Sequence, residues 1–317
     1  MKSLRLRSGR ITVLIPARRA PRTFSLTPPI GSTLPLSVTS PVIASRGRTG
    51  LALATAFVYY PASASVRLPI AGSATTTLDS KVYANSLLAI YQTPLEVLGG
   101  NYAFGGAFAG IWMDLNGTVV TASGTRAASE SASGIADVFL YPLMVGWTAL
   151  GGDLKYDVRL RIYVPLGKYE AGSLANPGRN YWTFEPMLGV SFLSSQIGLE
   201  ASAFTGLDFN TKNTATDYRS GEQFHIDATL AEHLPLLSGL VGMGATAFYY
   251  QQITGDTGSG ATLGDFKART LGVGPVASYA RKIGGADCAL EVKWLPELEV
   301  KNRIKGNEFW IKVRAMF

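Results

Sequence analysis

Leu154-Lys155-Tyr156-Asp157-Val158-Arg159-Leu160-Arg161-Ile162-Tyr163-Val164 alternates without a break. The even positions carry Leu, Tyr, Val, Leu, Ile and Val, and the odd positions carry Lys, Asp, Arg, Arg and Tyr. A strand sends successive side chains to opposite faces. The stretch is therefore a strand with one apolar face and one charged face. The C-terminal segment repeats the design, with Phe309, Ile311, Val313, Ala315 and Phe317 set against Trp310, Lys312, Arg314 and Met316. So do Phe224, Ile226, Ala228 and Leu230 against His225, Asp227, Thr229 and Ala231, and Cys288, Leu290, Val292 and Trp294 against Asp287, Ala289, Glu291 and Lys293. The dominant period is two, not 3.6.

The same rule, carried along the chain, predicts twelve strands: 51–60, 82–93, 102–118, 136–149, 154–164, 181–194, 196–209, 222–234, 239–252, 267–281, 286–295 and 307–317. Most have the length that a tilted strand needs to cross a bilayer, about 9–11 residues. The connections alternate. Those at 61–81, 119–135, 165–180, 210–221, 253–266 and 297–306 are long, and those between them are short. Long loops on one side and short turns on the other, with an even strand count, are the pattern of an outer-membrane barrel. The physical reason is that backbone groups in hydrocarbon need partners, and a closed sheet has no unpaired edge. The expected fold is all-β, an antiparallel up-and-down transmembrane barrel of about twelve strands.

Composition agrees. The chain has 317 residues, and only 16% are charged, against the ~25% usual in soluble proteins. The net charge of +7 suggests a nucleic-acid partner until its distribution is read. Lys2, Arg5, Arg7, Arg10, Arg18, Arg19, Arg22, Arg46 and Arg48 precede the first acid, and the body after residue 50 carries slightly more acids than bases. No nucleic-acid partner is expected. Cys288 is the only cysteine, so no intrachain disulfide can form. Two uncharged runs, Thr49–Val66 and Leu234–Gly255, are broken by Pro and Gly or rich in Ser and Thr, and do not read as spanning helices.

Residues 1–50 form a basic N-terminal extension, an atypical start or a targeting segment, and 51–317 form the barrel. The best apolar run in the first 30 residues, Ile11–Ala17, is short and contains Pro16. Leu51–Tyr60, followed by Ala62-Ser63-Ala64, has the outline of a signal sequence. The even strand count favours it as the first strand instead.

Motifs for catalysis are weak. Asp256-Thr257-Gly258 matches an aspartic-protease triplet, but no second copy exists, and that chemistry needs two carboxylates. The Gly-rich run around it lacks the Gly-Lys-Ser/Thr ending of a phosphate loop. His225 shares a polar face with Asp227 and lies close to Glu222, which leaves a lipid-cleaving barrel enzyme as an alternative. His233 lies near a short turn and reads as interfacial. No catalytic, cofactor-binding or metal-ligating residue is assigned. The inward-facing set is Lys155, Asp157, Arg159, Arg161, Glu185, Glu200, His225, Asp227, Asp287, Glu291, Lys293, Lys312 and Arg314. It either fills a narrow barrel with ion pairs or lines a path for solute. Tyr59-Tyr60, Tyr141, Trp147, Tyr181-Trp182, Tyr249-Tyr250, Trp294 and Trp310 stand near strand ends, as an interfacial aromatic girdle would.

Val164–Tyr169, Asn176–Pro186, Asp208–Asn213, Thr216–Gly221, Tyr250-Gln251-Gln252 and Gly272-Val273-Gly274-Pro275 together resemble the outer-membrane family named for the meta-pathway of phenol degradation. The resemblance runs over about residues 80–317. It implies a porin-like outer-membrane transporter for small hydrophobic solutes, including aromatic ones, with no cofactor. It also implies two partners beyond the solute: outer-membrane lipid and the outer-membrane assembly machinery, for which Phe317 resembles the terminal aromatic signal. The matching motifs fall on the long loops. Asn176, Arg179, Asn180, Asn210, Asn213, Asp217, Tyr218 and Arg219 are the candidates for the mouth of the barrel. A structural barrel with no open path is the remaining alternative.

Overall fold

The computed structural model describes residues 6–7, 10–11, 49–68, 74–121, 124–173, 175–261 and 267–317. The readings made on the basic extension fall almost wholly outside the described residues. The wall consists of β1 (Gly50–Leu68), β2 (Ala74–Val97), β3 (Gly100–Thr121), β4 (Gly124–Ile135 continued by Val138–Ala149), β5 (Leu154–Val164) and β6 (Thr183–Leu193). It continues with β7 (Leu199–Asn210), β8 (Gln223–Leu236), β9 (Gly239–Gln252), β10 (Arg269–Ile283), β11 (Ala286–Lys301) and β12 (Lys305–Met316). Both segments of β4 pair with β3, the first along Gly110–Thr121 and the second along Asn101–Ala107. They are one strand interrupted at Ala136-Asp137. Each strand pairs antiparallel with the next, and β12 pairs with β1 through Phe309↔Tyr59 and Met316↔Ala52. The twelve-stranded barrel is closed, and Leu51–Tyr60 belongs to the strand that closes it. Phe317 extends the seam, exchanging backbone hydrogen bonds with Leu51.

Three connections expected as long loops are largely sheet. Ala62 pairs with Ser80, Asp79 with Asn116, and Asn116 with Ser129. β1 loses its partner on β12 beyond Ser63↔Lys305, and β4 pairs with β5 only up to Val138↔Val164. Strands β1–β4 therefore continue past the rest of the wall as a hairpin sheet. Its Ser, Thr and Asp side chains carry no apolar alternation, so the period-two signal was silent there. The 297–306 connection shrinks likewise to 302–304. Long loops remain at 165–182, 211–222 and 253–268. At the opposite end, Leu98-Gly99, Leu237-Ser238 and Gly284-Gly285 make two-residue turns with positive φ at both positions, the geometry that matches strand twist in a tight hairpin.

The outer face is apolar, as the alternation requires. Phe104, Phe108, Trp112, Leu188, Val190, Leu230, Val292 and Ile311 all stand exposed on it. Rings border this band in two rows. Tyr83, Tyr59, Phe309 and Trp294 stack across four adjacent strands. Tyr91, Phe104 and Tyr102 mark the other row, with Trp147 stacked on Tyr156. From Tyr83 to Tyr91 a tilted strand rises about 20 Å, close to the height of an outer-membrane apolar band. The girdle was over-assigned, because adjacent residues cannot share a face. Tyr60, Tyr141, Tyr250 and Trp310 are buried inside, while Tyr59, Trp147, Trp182, Tyr249 and Trp294 remain outside.

The inner face is divided. Strands β1–β4 line it with Val58, Val82, Leu88, Ile90, Ile111, Met113 and a run of alanines, all buried. Strands β5–β8, β11 and β12 line it with charge. The apolar inner wall was hidden by the Gly- and Ala-rich composition of β3, which gives no clear register from sequence.

Candidate functional site: a charged interior under a three-loop cap

Alternation on β5 turns Lys155, Asp157, Arg159 and Arg161 inward. Asp157 and Arg159, two residues apart on one face, form a buried ion pair. The Arg159 guanidinium lies 5.1 Å from the centre of the Phe204 ring. Arg161 grips Glu185 with two hydrogen bonds, both 2.6 Å. This bidentate arrangement is the strong form of the carboxylate pair. His225 Nε2 lies 2.7 Å from Glu185 Oε1, and its Nδ1 lies 3.8 Å from Asp227. Gly206 is the reason the pair fits, since a Cβ there would come within 2.6 Å of both Glu185 Oε1 and His225 Nε2.

Nearer the short turns, Glu291 takes Lys312 at 2.9 Å and Lys293 at 3.2 Å. A small cavity beside them, with room for about one water, is bounded by Asp227, Thr246 and Trp310. Glu200 takes His233 Nε2 at 2.6 Å and the Ser202 hydroxyl at 2.9 Å. His233 thus faces inward, hydrogen-bonded to Glu200 near a short turn. Asp287 sits at the exposed rim, bound to Lys282 at 2.8 Å. Lys155 and Arg314 are half-buried, and no ion pair to either is seen among the described residues.

Several interior groups escaped the sequence reading. Asp208 is fully buried, and among the described residues neither carboxylate oxygen has a hydrogen-bond partner. Its inward parity on β7 matches that of Glu200, so the alternation alone could have found it. Glu297 accepts the Tyr60 hydroxyl at 3.0 Å and the Gly306 N–H at 2.5 Å. Glu308 accepts the Trp310 indole N–H at 3.0 Å. The Arg303 guanidinium lies 5.5 Å from the Tyr250 ring. Glu297 and Arg303 fell in a segment read as loop, where no face could be assigned. Glu185, Asp208 and His225 bring donor atoms within 4.8 Å of one another. Arg161 and His225 already occupy Glu185, and Asp208 lies beside that group.

The mouth candidates meet in one hydrogen-bonded cap. Asp137, at the break in β4, accepts the N–H groups of Gly167 at 3.1 Å and Arg179 at 3.0 Å, and the Arg179 Nε at 3.4 Å. Asn176 folds the loop on itself by accepting the Glu170 N–H at 2.7 Å. Asn180 donates to Asn213 at 2.9 Å, and Asn213 donates to the Arg179 carbonyl at 3.2 Å, which joins 165–182 to 211–222. Asn210, the last residue of β7, accepts from Thr183 and donates to the Gly221 carbonyl. Arg219 donates to the Asn210 carbonyl at 2.8 Å and bridges backbone to backbone with Thr257. Asp217 accepts Lys212 Nζ at 2.7 Å, the Ser259 N–H at 2.9 Å and its hydroxyl at 2.6 Å. These donors hold the Asp217 carboxyl well below the usual carboxylate range. Burial, with Asp256 at 2.7 Å, pushes the Tyr218 hydroxyl above its ordinary value. Asp256 also accepts from Gly221 and Gln252. The protease-like triplet is thus the hub of a loop junction.

Among the described residues, the serine that a triad at His225 would need is not in contact with its ring: the two ring nitrogens face Glu185 and Asp227.

The sequence pattern of the family described as "Putative MetA-pathway of phenol degradation" matches residues 65–313. An outer membrane channel from Pseudomonas putida F1 superposes with a TM-score of 0.63 at 12% identity, over 88% of this chain and 99% of that chain. The β domain of the Bordetella autotransporter BrkA gives a TM-score of 0.46 at 12% identity, over 85% of this chain and 100% of that chain. No curated protein matches the sequence.

Proposed function

Since the chain belongs to the family of the phenol-degradation MetA pathway, we propose that it is an outer-membrane channel that passively admits small hydrophobic compounds, aromatic ones included. The observation that carries this reading is the apolar inner wall of β1–β4, an unusual surface for a barrel interior. Porin-like interiors are polar. An apolar stripe matches a hydrophobic solute in chemistry; its residues are packed and buried, so solute meets them where that packing parts, opposite the ion-paired side of the wall. The three-loop cap is the entrance. Membrane lipid meets the outer face, and the assembly machinery reads Phe317. No cofactor or catalysis is part of this function.

The test is deletion of residues 212–220, which removes the centre of the cap and leaves every strand. Uptake of phenol-like solutes into proteoliposomes should change while the protein keeps heat-modifiable migration on a denaturing gel. Unchanged uptake of every hydrophobic solute tried would remove the entrance role. Absence of both solute flux and conductance in the intact protein would favour a structural barrel.

A further inference from the structure

Gly206 leaves a gap on the inner face of β7, and ionisable side chains from three adjacent strands surround it. His225 on β8 stands directly opposite Gly206, and Glu185 reaches the gap from β6. A Cβ at Gly206 would come within 2.6 Å of both Glu185 Oε1 and His225 Nε2. Asp208, two residues further along β7, shares that face. One donor atom each from Glu185, Asp208 and His225 lies within 4.8 Å of the others, and all three residues are buried.

The charges around the gap do not pair off. Arg159 is matched by Asp157, Arg161 by Glu185 and Arg179 by Asp137. Asp208 is the exception. It is fully buried, and among the described residues neither of its oxygens accepts a hydrogen bond. Buried carboxylates are stable where they are paired or where they coordinate a metal.

The donor set selects the metal. An imidazole nitrogen with two carboxylates suits zinc and similar ions, whereas calcium and magnesium take oxygen ligands. Zinc bonds of about 2.1 Å space tetrahedral ligands about 3.4 Å apart, so the 2.7 Å contact of Nε2 with Oε1 has to open by roughly 0.7 Å. The neighbours are those that orient such ligands. Asp227 lies 3.8 Å from His225 Nδ1, the ring nitrogen that would remain off the metal, and a carboxylate there fixes the orientation of a metal-bound histidine. Arg161 Nε holds Glu185 Oε2 at 2.6 Å, and its second hydrogen bond is given up when Oε1 turns to the metal.

We propose that Glu185 Oε1, Asp208 and His225 Nε2 bind one zinc-like divalent ion, which ties β6, β7 and β8 together beneath the cap. The role is structural, and the site stands independently of the channel reading.

The full chain is refolded in non-ionic detergent with Zn²⁺ present, desalted, and assayed for bound zinc by mass spectrometry. The wild type should retain about one ion per chain. His225 and His233 are the only histidines, so His233→Gln is the control. It should retain as much zinc, since His233 belongs to the separate Glu200 cluster. Asp208→Asn, nearly unchanged in shape, and His225→Gln should each weaken zinc binding at least about tenfold in competition with a chromophoric chelator. The wild type should keep its folded band to a higher temperature in Zn²⁺ than in EDTA, and Asp208→Asn should lose that difference. An excess of Ca²⁺ should not displace the zinc. A wild type without bound zinc overturns the site. So does zinc lost only in His233→Gln, or equal affinity in Asp208→Asn and wild type. If His225→Gln gives no folded band, the wild-type zinc count and Asp208→Asn decide.

Discussion

At the scale of single residues, the interior depends on where a side chain is missing. Gly206 lies between Glu185 and His225 on the middle of three adjacent strands, and its φ is ordinary for a strand. Its role is space, not backbone freedom. Gly206→Ala should force the Glu185–His225 contact apart at a site gripped from the other side by Arg161. Overpacking of this kind costs about 1–3 kcal/mol, read as a lower urea midpoint for the refolded protein. An unchanged midpoint would mean the pair can shift without loss. Asp217 gives a pH prediction of defined sign. Its carboxyl is held low in the folded cap by Lys212 and Ser259, so its contribution is complete above the ordinary carboxylate value, about 3.9. It is lost as pH falls through the depressed folded value. Amide exchange in 212–220 should therefore stay protected at mildly acidic pH and rise only in strong acid. Loss of protection already near pH 5 would show that Asp217 does not hold the junction.

At the scale of elements, the break in β4 sets the position of the cap. Asp137 can reach Gly167 and Arg179 because the strand is interrupted beside it. Asp137→Ala leaves two loop N–H groups and a nearly buried guanidinium without their acceptor. Breaking a buried pair costs about 3–5 kcal/mol, and most of that cost should fall on the loop, since the barrel ladders do not involve the side chain. Limited proteolysis should cut within 165–182 while the folded band persists. Loss of that band would show instead that Asp137 supports the wall. This element also shows what the sequence made legible. Strands with strict alternation, such as β5, β8 and β12, could be placed and their faces assigned, because apolar and charged residues take turns. The β4 break and the apolar interior could not be seen, because Ala, Gly and Ser fit either face equally well. The paired extensions of β1–β4 failed for the same reason. The inward ion pairs were readable as faces but not as partners, since cross-strand register is a tertiary property.

At the scale of the whole molecule, the barrel and the sheet above it rest on different physics. The wall from β1 to β12 satisfies its backbone in hydrocarbon only by closure, where each open group would cost several kcal/mol. The extension meets that need by local hairpins alone: β1 with β2 up to Leu68↔Ala74, β2 with β3, and β3 with β4 down to Thr121↔Gly124. It shares no ladder with β5–β12. It contacts the cap through the Glu130 side chain, which accepts the Ser173 hydroxyl, and through the Ser133 backbone carbonyl, which accepts Lys168 Nζ. Replacing 64–78 and 117–128 by tight two-residue turns should therefore leave closure intact, because the seam at Phe309↔Tyr59 and the apolar band lie below the cuts. The shortened protein should refold and migrate as the folded, heat-modifiable species. Its cap should exchange faster around 168–175, where the contacts with β4 lie close to the cut. If the shortened chain fails to close, the extension is needed to start the sheet: β1–β4 would then form first as a hairpin stack, and the remaining strands would add to that edge until β12 meets β1.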